Sequence, residues 1–70
     1  MALTIGQQIK RYRENKGLTQ ADLAFIIGVD HSNISQIEND KREINLSKLR
    51  KICEALDVTI AQILEQKGIV

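Results

Sequence analysis

An all-α domain of five short helices is the fold class that this sequence predicts, and three observations carry the prediction. Apolar residues recur at spacings of three and four from end to end, and no segment shows the alternation of a half-buried strand. Neither a proline nor a Gly/Ser-rich stretch divides the chain, so its 70 residues read as one small domain over 1–70 with a modest core.

The first helix is expected over 4–15, with Ile5, Ile9 and Tyr12 on one face and Gly17 closing it. The second runs over 20–27: Thr19 is its N-cap, Asp22 returns a bond as a shorter version of the capping-box acid, and Leu23, Ala24 and Ile27 face inward. Asp30 caps the third, over 31–38, where its charge also suits the positive end of the helix dipole and Ile34 and Ile37 point to the core. Asn45 or Ser47 caps the fourth, over 47–56, which turns Leu49, Ile52, Cys53 and Leu56 inward. Thr59 caps the fifth, over 60–66, with Ile60, Ile63 and Leu64 apolar. Helices this short do not persist alone, so the five must share one core.

Composition excludes several classes of function. The single cysteine, Cys53, permits neither an intrachain disulfide nor a thiolate metal cluster, and its neighbours Leu49, Ile52 and Leu56 make it a small core residue. That usage fits a reduced cytoplasm. No segment approaches the ~20 apolar residues of a membrane span, and the first ten residues lack the basic and apolar blocks of a secretion signal. Net charge is only +1, yet its distribution is uneven. Lys10, Arg11, Arg13 and Lys16 concentrate positive charge near the start, and Lys41, Arg42, Lys48, Arg50 and Lys51 do so again after the third helix. Segregation of this kind suits loops and helix ends that meet phosphates.

Gln20, Ala24, Gly28, Ile34 and Ile37 stand at the offsets of a helix-turn-helix spanning about 20–39. Ala24 is small where the second helix must come close, and Gly28 takes the positive φ that ends the first of the pair. Only Gly28, Val29 and Asp30 connect the two helices, which projects the third outward with His31, Ser32, Asn33, Ser35 and Gln36 on its open face. Short polar side chains at the N-terminal end of such a helix match base edges in the major groove. Gln36 has the donor and acceptor for adenine, one turn beyond Ser32, and His31 is expected to donate to guanine or phosphate. Ser32 and Asn33 serve either bases or the helix N-terminus.

The segment LTQADLAFIIGVDHSNISQIENDKRE resembles the Cro/C1-type (XRE-family) helix-turn-helix of phage repressors, controller proteins and small bacterial regulators. IGQQIKRYRENKG is similar to the family's first helix and LRKICEALDVTIAQIL to its fourth and fifth, so the likeness covers nearly the whole chain. It implies the five-helix lambda-repressor-like fold. By the same resemblance, Gln20 bonds phosphate and steadies a neighbouring recognition side chain, and His31, Ser32 and Gln36 face bases with Asn33 at the edge. Asn39, Lys41 and Arg42 match the loop that grips the DNA backbone, and Arg13 and Glu38 match a pair bridging the first and third helices. Asp40 replaces a glycine common in that family, which leaves Asn39 or Asp40 to take the left-handed conformation ending the third helix.

The expectation is a cytoplasmic, sequence-specific double-stranded DNA-binding regulator acting as a homodimer on a palindromic operator. Ile60, Leu64, Ile69 and Val70 are the expected dimer contacts. No triad can be assembled from His31, Ser32 and Ser35 on one helical turn, so neither catalysis nor a cofactor, metal or small-molecule ligand is expected. The alternative is a protein-interaction module, antitoxin or adaptor that keeps the fold; the scarcity of aromatics, Tyr12 and Phe25 alone, argues against it.

Overall fold

The computed structural model describes residues 3–65 and places five helices along them: α1 (Ile5–Asn15), α2 (Gln20–Ile27), α3 (His31–Glu38), α4 (Leu46–Leu56) and α5 (Ile60–Glu65). The bounds of α2 and α3 coincide with those read from the sequence, the starts of α1 and α4 differ by one residue, and the expected end of α5 at 66 lies outside the described residues. No helix among the described residues is long and apolar enough to cross a membrane. Ile69 and Val70 lie outside the described residues.

Local hydrogen bonding explains why the helices begin where they do. Thr4, Thr19 and Thr59 each accept the backbone N–H three residues on, from Gln7, Asp22 and Gln62, whose side chains accept the threonine N–H in return. Thr4 therefore caps α1 rather than opening it. The bond from the Thr19 N–H, joined by that of its hydroxyl, holds the Asp22 carboxyl below its ordinary value. This cap is intact at neutral pH and is lost as pH falls through that lowered value. Asn45 caps α4 by accepting the Lys48 N–H at 2.7 Å, so Ser47 lies inside the helix. Asp30 departs from expectation: it sits at the N-cap position, but its side chain makes no cap bond. The Asn33 N–H that it would serve is already bonded to the Asp30 carbonyl at 2.9 Å.

Helix ends are as specific. Gly17 and Gly28 take φ of +79° and +78°, and Asp40 and Asp57 take +59° and +60°. Asp40, not Asn39, is thus the left-handed residue after α3, with its N–H bonded to Ile37 O and that of Lys41 to Gln36 O. Its carboxylate accepts from the Thr4 hydroxyl at 2.6 Å and from the Gly6 N–H at 3.2 Å, so it also ties the end of α3 to the start of α1. Among the described residues, the Asp57 carboxylate has only an exposed Lys16 partner, at 3.8 Å. Glycine should therefore act oppositely at the two sites. Asp57→Gly is expected to gain up to ~1 kcal/mol by removing left-handed strain, or several degrees in Tm for a domain this small, whereas Asp40→Gly should lose stability. Thermal unfolding of the two variants checks the sign.

The core is one cluster of Ile9, Leu23, Ala24, Ile34, Ile37, Leu49, Ile52, Cys53, Leu56 and Ile63. Every helix contributes to it, as short helices require. Burial pushes the Cys53 thiol up, which keeps it protonated and inert. Ile60 is half-buried against this cluster, whereas Leu64 is 39% exposed. Phe25 and Ile26 also depart from the apolar-inside pattern, at 87% and 53% exposure on the outer side of α2, as does Leu46 at the start of α4.

Candidate nucleic-acid interface

The crossing of α2 and α3 rests on Ala24, 3% exposed, and on Ile34 and Ile37, 0% and 2%. At the turn, the left-handed Gly28 lets both its own N–H and that of Val29 reach the Ala24 carbonyl at 2.9 Å. α3 is thereby fixed on its apolar side, and His31, Ser32 and Gln36 are left exposed on the other.

A buried ion pair anchors α3 to α1. Arg13 Nε and its second terminal nitrogen donate to the two carboxylate oxygens of Glu38 at 2.6 and 3.0 Å, and its remaining terminal nitrogen donates to Leu18 O at 2.7 Å. The side chains are 8% and 1% exposed. The hydrogen bond to Glu38 raises the Arg13 pKa above its ordinary value, so the guanidinium stays charged at every accessible pH. The geometry thus places Arg13 in the pair with Glu38 that the resemblance implies.

The chain of bonds continues outward. Gln20 Nε2 donates to Glu38 Oε1 at 3.0 Å, and Gln20 Oε1 lies 2.9 Å from His31 Nε2. Gln20 is thus in contact with a side chain of the recognition helix. Gln36 is held similarly, because Arg42 Nε donates to its Oε1 at 2.9 Å. This leaves the two Nε2 protons of Gln36, and a second lone pair on Oε1, for other partners. Arg42 and Gln36, expected at the phosphates and at the bases respectively, are therefore linked side chain to side chain.

Asn33, expected at the edge of the base-facing surface, is half-buried and accepts from Lys48 Nζ of α4 at 3.4 Å. The Asn39 amide donates to Ser35 O at 2.8 Å and so closes the end of α3. Lys41 is exposed on the loop beside Arg42. Two contributors were missed by sequence reasoning: Asp40, whose carboxylate places this loop against α1, and Gly6, which lies under it.

The family model described as Helix-turn-helix matches residues 9–63. Over 64 residues the chain is 39% identical to the HTH-type transcriptional regulator SinR of Bacillus subtilis (strain 168), covering 90% of this chain and 58% of that protein. It is 34% identical over 62 residues to control protein C.MunI of Mycoplasma sp, covering 87% of this chain and 84% of that one. A crystal structure of SinR, the master regulator for biofilm formation, in complex with DNA superposes with a TM-score of 0.82 at 37% identity, covering 87% of this chain and 98% of that chain. The chain thus spans a little over half the length of SinR and most of C.MunI. With the buried Arg13–Glu38 pair, the three-residue turn and the polar face of α3 in place, these likenesses establish that the chain belongs to the Cro/C1-type helix-turn-helix family of transcriptional regulators.

Proposed function

We propose that the chain binds a specific double-stranded DNA operator as a homodimer, with α3 in the major groove and the loop after it on the backbone. The observation that carries this reading is the exposed His31, Ser32 and Gln36 on a helix locked from behind by buried Arg13 and Glu38. His31, Ser32 and Gln36 read bases, with Asn33 beside them held by Lys48; Gln20, Asn39, Lys41 and Arg42 approach phosphates. The cytoplasm is the compartment where such a protein meets its operator. Selection from random duplexes at moderate salt tests the reading: an enriched site should bind at least ~10³-fold tighter than random DNA, with affinity falling steeply as salt rises. Recovery of no enriched sequence sinks it.

Reading and gripping separate in mutants. Gln36→Ala should cost about 1–3 kcal/mol on the selected site and relax one base position, while Lys41→Ala should weaken all sequences alike and flatten the salt dependence. Arg42→Ala combines the two effects, weakening all sequences as a lost phosphate contact and relaxing the same base position as Gln36→Ala because its guanidinium orients that amide. Equal effects on selected and random DNA would refute the division.

A single recognition helix reads few base pairs, so two copies with half-sites about 34 Å apart supply the rest. Exposed Leu64 on α5 is the described apolar side chain offered for that contact, with Ile60 behind it and Ile69 and Val70 beyond the described residues. Sedimentation at micromolar concentration should show a dimer that Leu64→Glu dissociates. A monomer in both, with operator binding intact, removes α5 as the interface.

Exposed Phe25 and Ile26 favour a second reading, a protein-interaction module on the same fold, because together they supply the apolar anchor that sequence reasoning found wanting. Capture of a protein partner that Phe25→Ser abolishes, in the absence of any selected DNA site, would support it.

A further inference from the structure

The donor and acceptor identities along the chain from Arg13 to His31 fix more than position. Glu38 faces the guanidinium of Arg13 through both oxygens and is ionised, so it offers acceptors only. The Gln20 amide can approach Glu38 Oε1 only through Nε2; the flipped amide would set two acceptors 3.0 Å apart. The bond therefore assigns the amide orientation on chemical grounds. Gln20 Oε1 must then be the atom 2.9 Å from His31 Nε2, and an oxygen there requires a proton on that nitrogen. A neutral imidazole carrying its proton on Nε2 has none on Nδ1. No other described residue bonds to Nδ1, and the residue is exposed at the first turn of α3.

We propose that His31 is a specificity-determining residue that offers Nδ1 to the major groove as a hydrogen-bond acceptor, a polarity imposed through Gln20 by the buried Arg13–Glu38 pair. It selects an exocyclic amino group, N4 of cytosine or N6 of adenine, at the base pair it meets. Neither guanine N7 and O6 nor a phosphate oxygen can serve, since all are acceptors. This reverses the donor role expected from the sequence. The inference rests on the DNA-binding reading above, but the polarity of the ring is a property of the free protein.

Two measurements test it. In the full chain without DNA, under mildly alkaline conditions where imidazole is neutral, long-range proton–nitrogen correlation spectra should show His31 protonated on Nε2 and not on Nδ1. In Gln20→Leu, which cannot accept, the Nδ1-protonated form should appear. A wild-type ring protonated on Nδ1 overturns the proposal. Site selection with wild type, His31→Ala and His31→Lys supplies the second measurement. One position of the selected site should favour cytosine or adenine by roughly fivefold or more in wild type, lose that preference with alanine, and turn to guanine with the donor-only lysine. Identical base preferences in all three proteins overturn the role of His31 while leaving DNA binding intact. Absence of any enriched site overturns the DNA-binding reading and the proposal with it.

Discussion

Glu38→Ala is expected to cost about 3–5 kcal/mol, because it strands a guanidinium inside the protein. Arg13 is 6% exposed, and without Glu38 its remaining partners among the described residues are the Leu18 carbonyl at 2.7 Å and the exposed Glu14 carboxylate, distant at 3.9 Å. It cannot escape by losing its proton, since arginine stays charged throughout the accessible pH range. A domain of 70 residues has roughly 4–10 kcal/mol of stability in all, so this single change removes much of it. Replacing both partners, as in Arg13→Met with Glu38→Leu, removes the buried charge along with its counterion and should recover most of the loss. Urea unfolding of the two variants separates the cost of an orphaned charge from the net value of the pair. The double variant should fold yet bind its operator poorly, because Gln20 Nε2 loses its acceptor and His31 its orientation. A loss below about 1 kcal/mol in Glu38→Ala would mean that water reaches Arg13 and that the pair behaves as a surface one.

Helix positions were legible in the sequence because their causes are local. Thr19 with Asp22, Gly28 and the spacing of Ile34 and Ile37 each act within a few residues, and α2 and α3 fall where those residues place them. The Thr4–Gln7 and Thr59–Gln62 boxes were equally readable and give the starts of α1 and α5 the same local origin. Asp30 shows the limit of such reasoning, because whether its side chain caps depends on a competition that its own carbonyl wins. The Arg13–Glu38 bridge spans 25 residues and was legible only through the family resemblance. Its extension to His31 was implied there as a steadying contact, but without the polarity that only oriented atoms reveal. In the sequence Asp40 stands out only as the replacement of a common glycine, whereas tertiary structure engages its carboxylate with Thr4 and Gly6, 36 and 34 residues away. Phe25 was read as one of too few aromatics to matter; its exposure on α2 could not be inferred from a count.

Gly6→Ala reverses the sign that helix propensity assigns. Gly6 lies in the first turn of α1, where alanine should favour the helix by up to about 1 kcal/mol. An added Cβ, however, would sit on the carbonyl oxygen of Ile37 and come within 2.7 Å of Asp40 Oδ1 and 2.9 Å of Glu38 O. Two of those three atoms are backbone of α3, which the core holds through Ile34 and Ile37, so no flexible side chain can absorb the strain. Overpacking of this kind costs typically 1–3 kcal/mol, and the backbone contacts place Gly6 at or beyond the upper end, which exceeds the propensity gain. α1 can relieve the clash only by lifting its N-terminus, which breaks the bonds from Thr4 and Gly6 to Asp40. Two consequences distinguish this mechanism from simple crowding. Asp40→Ala should cost less in the Gly6→Ala background than in wild type, a coupling that a double-mutant cycle by urea unfolding measures directly. Operator affinity should also fall in Gly6→Ala protein that is still folded, because Lys41 and Arg42 follow the residue whose anchor has been lost. Additive effects of the two substitutions, with affinity unchanged, would mean that α1 and the loop after α3 tolerate separation and that Asp40 does not position the DNA-facing loop.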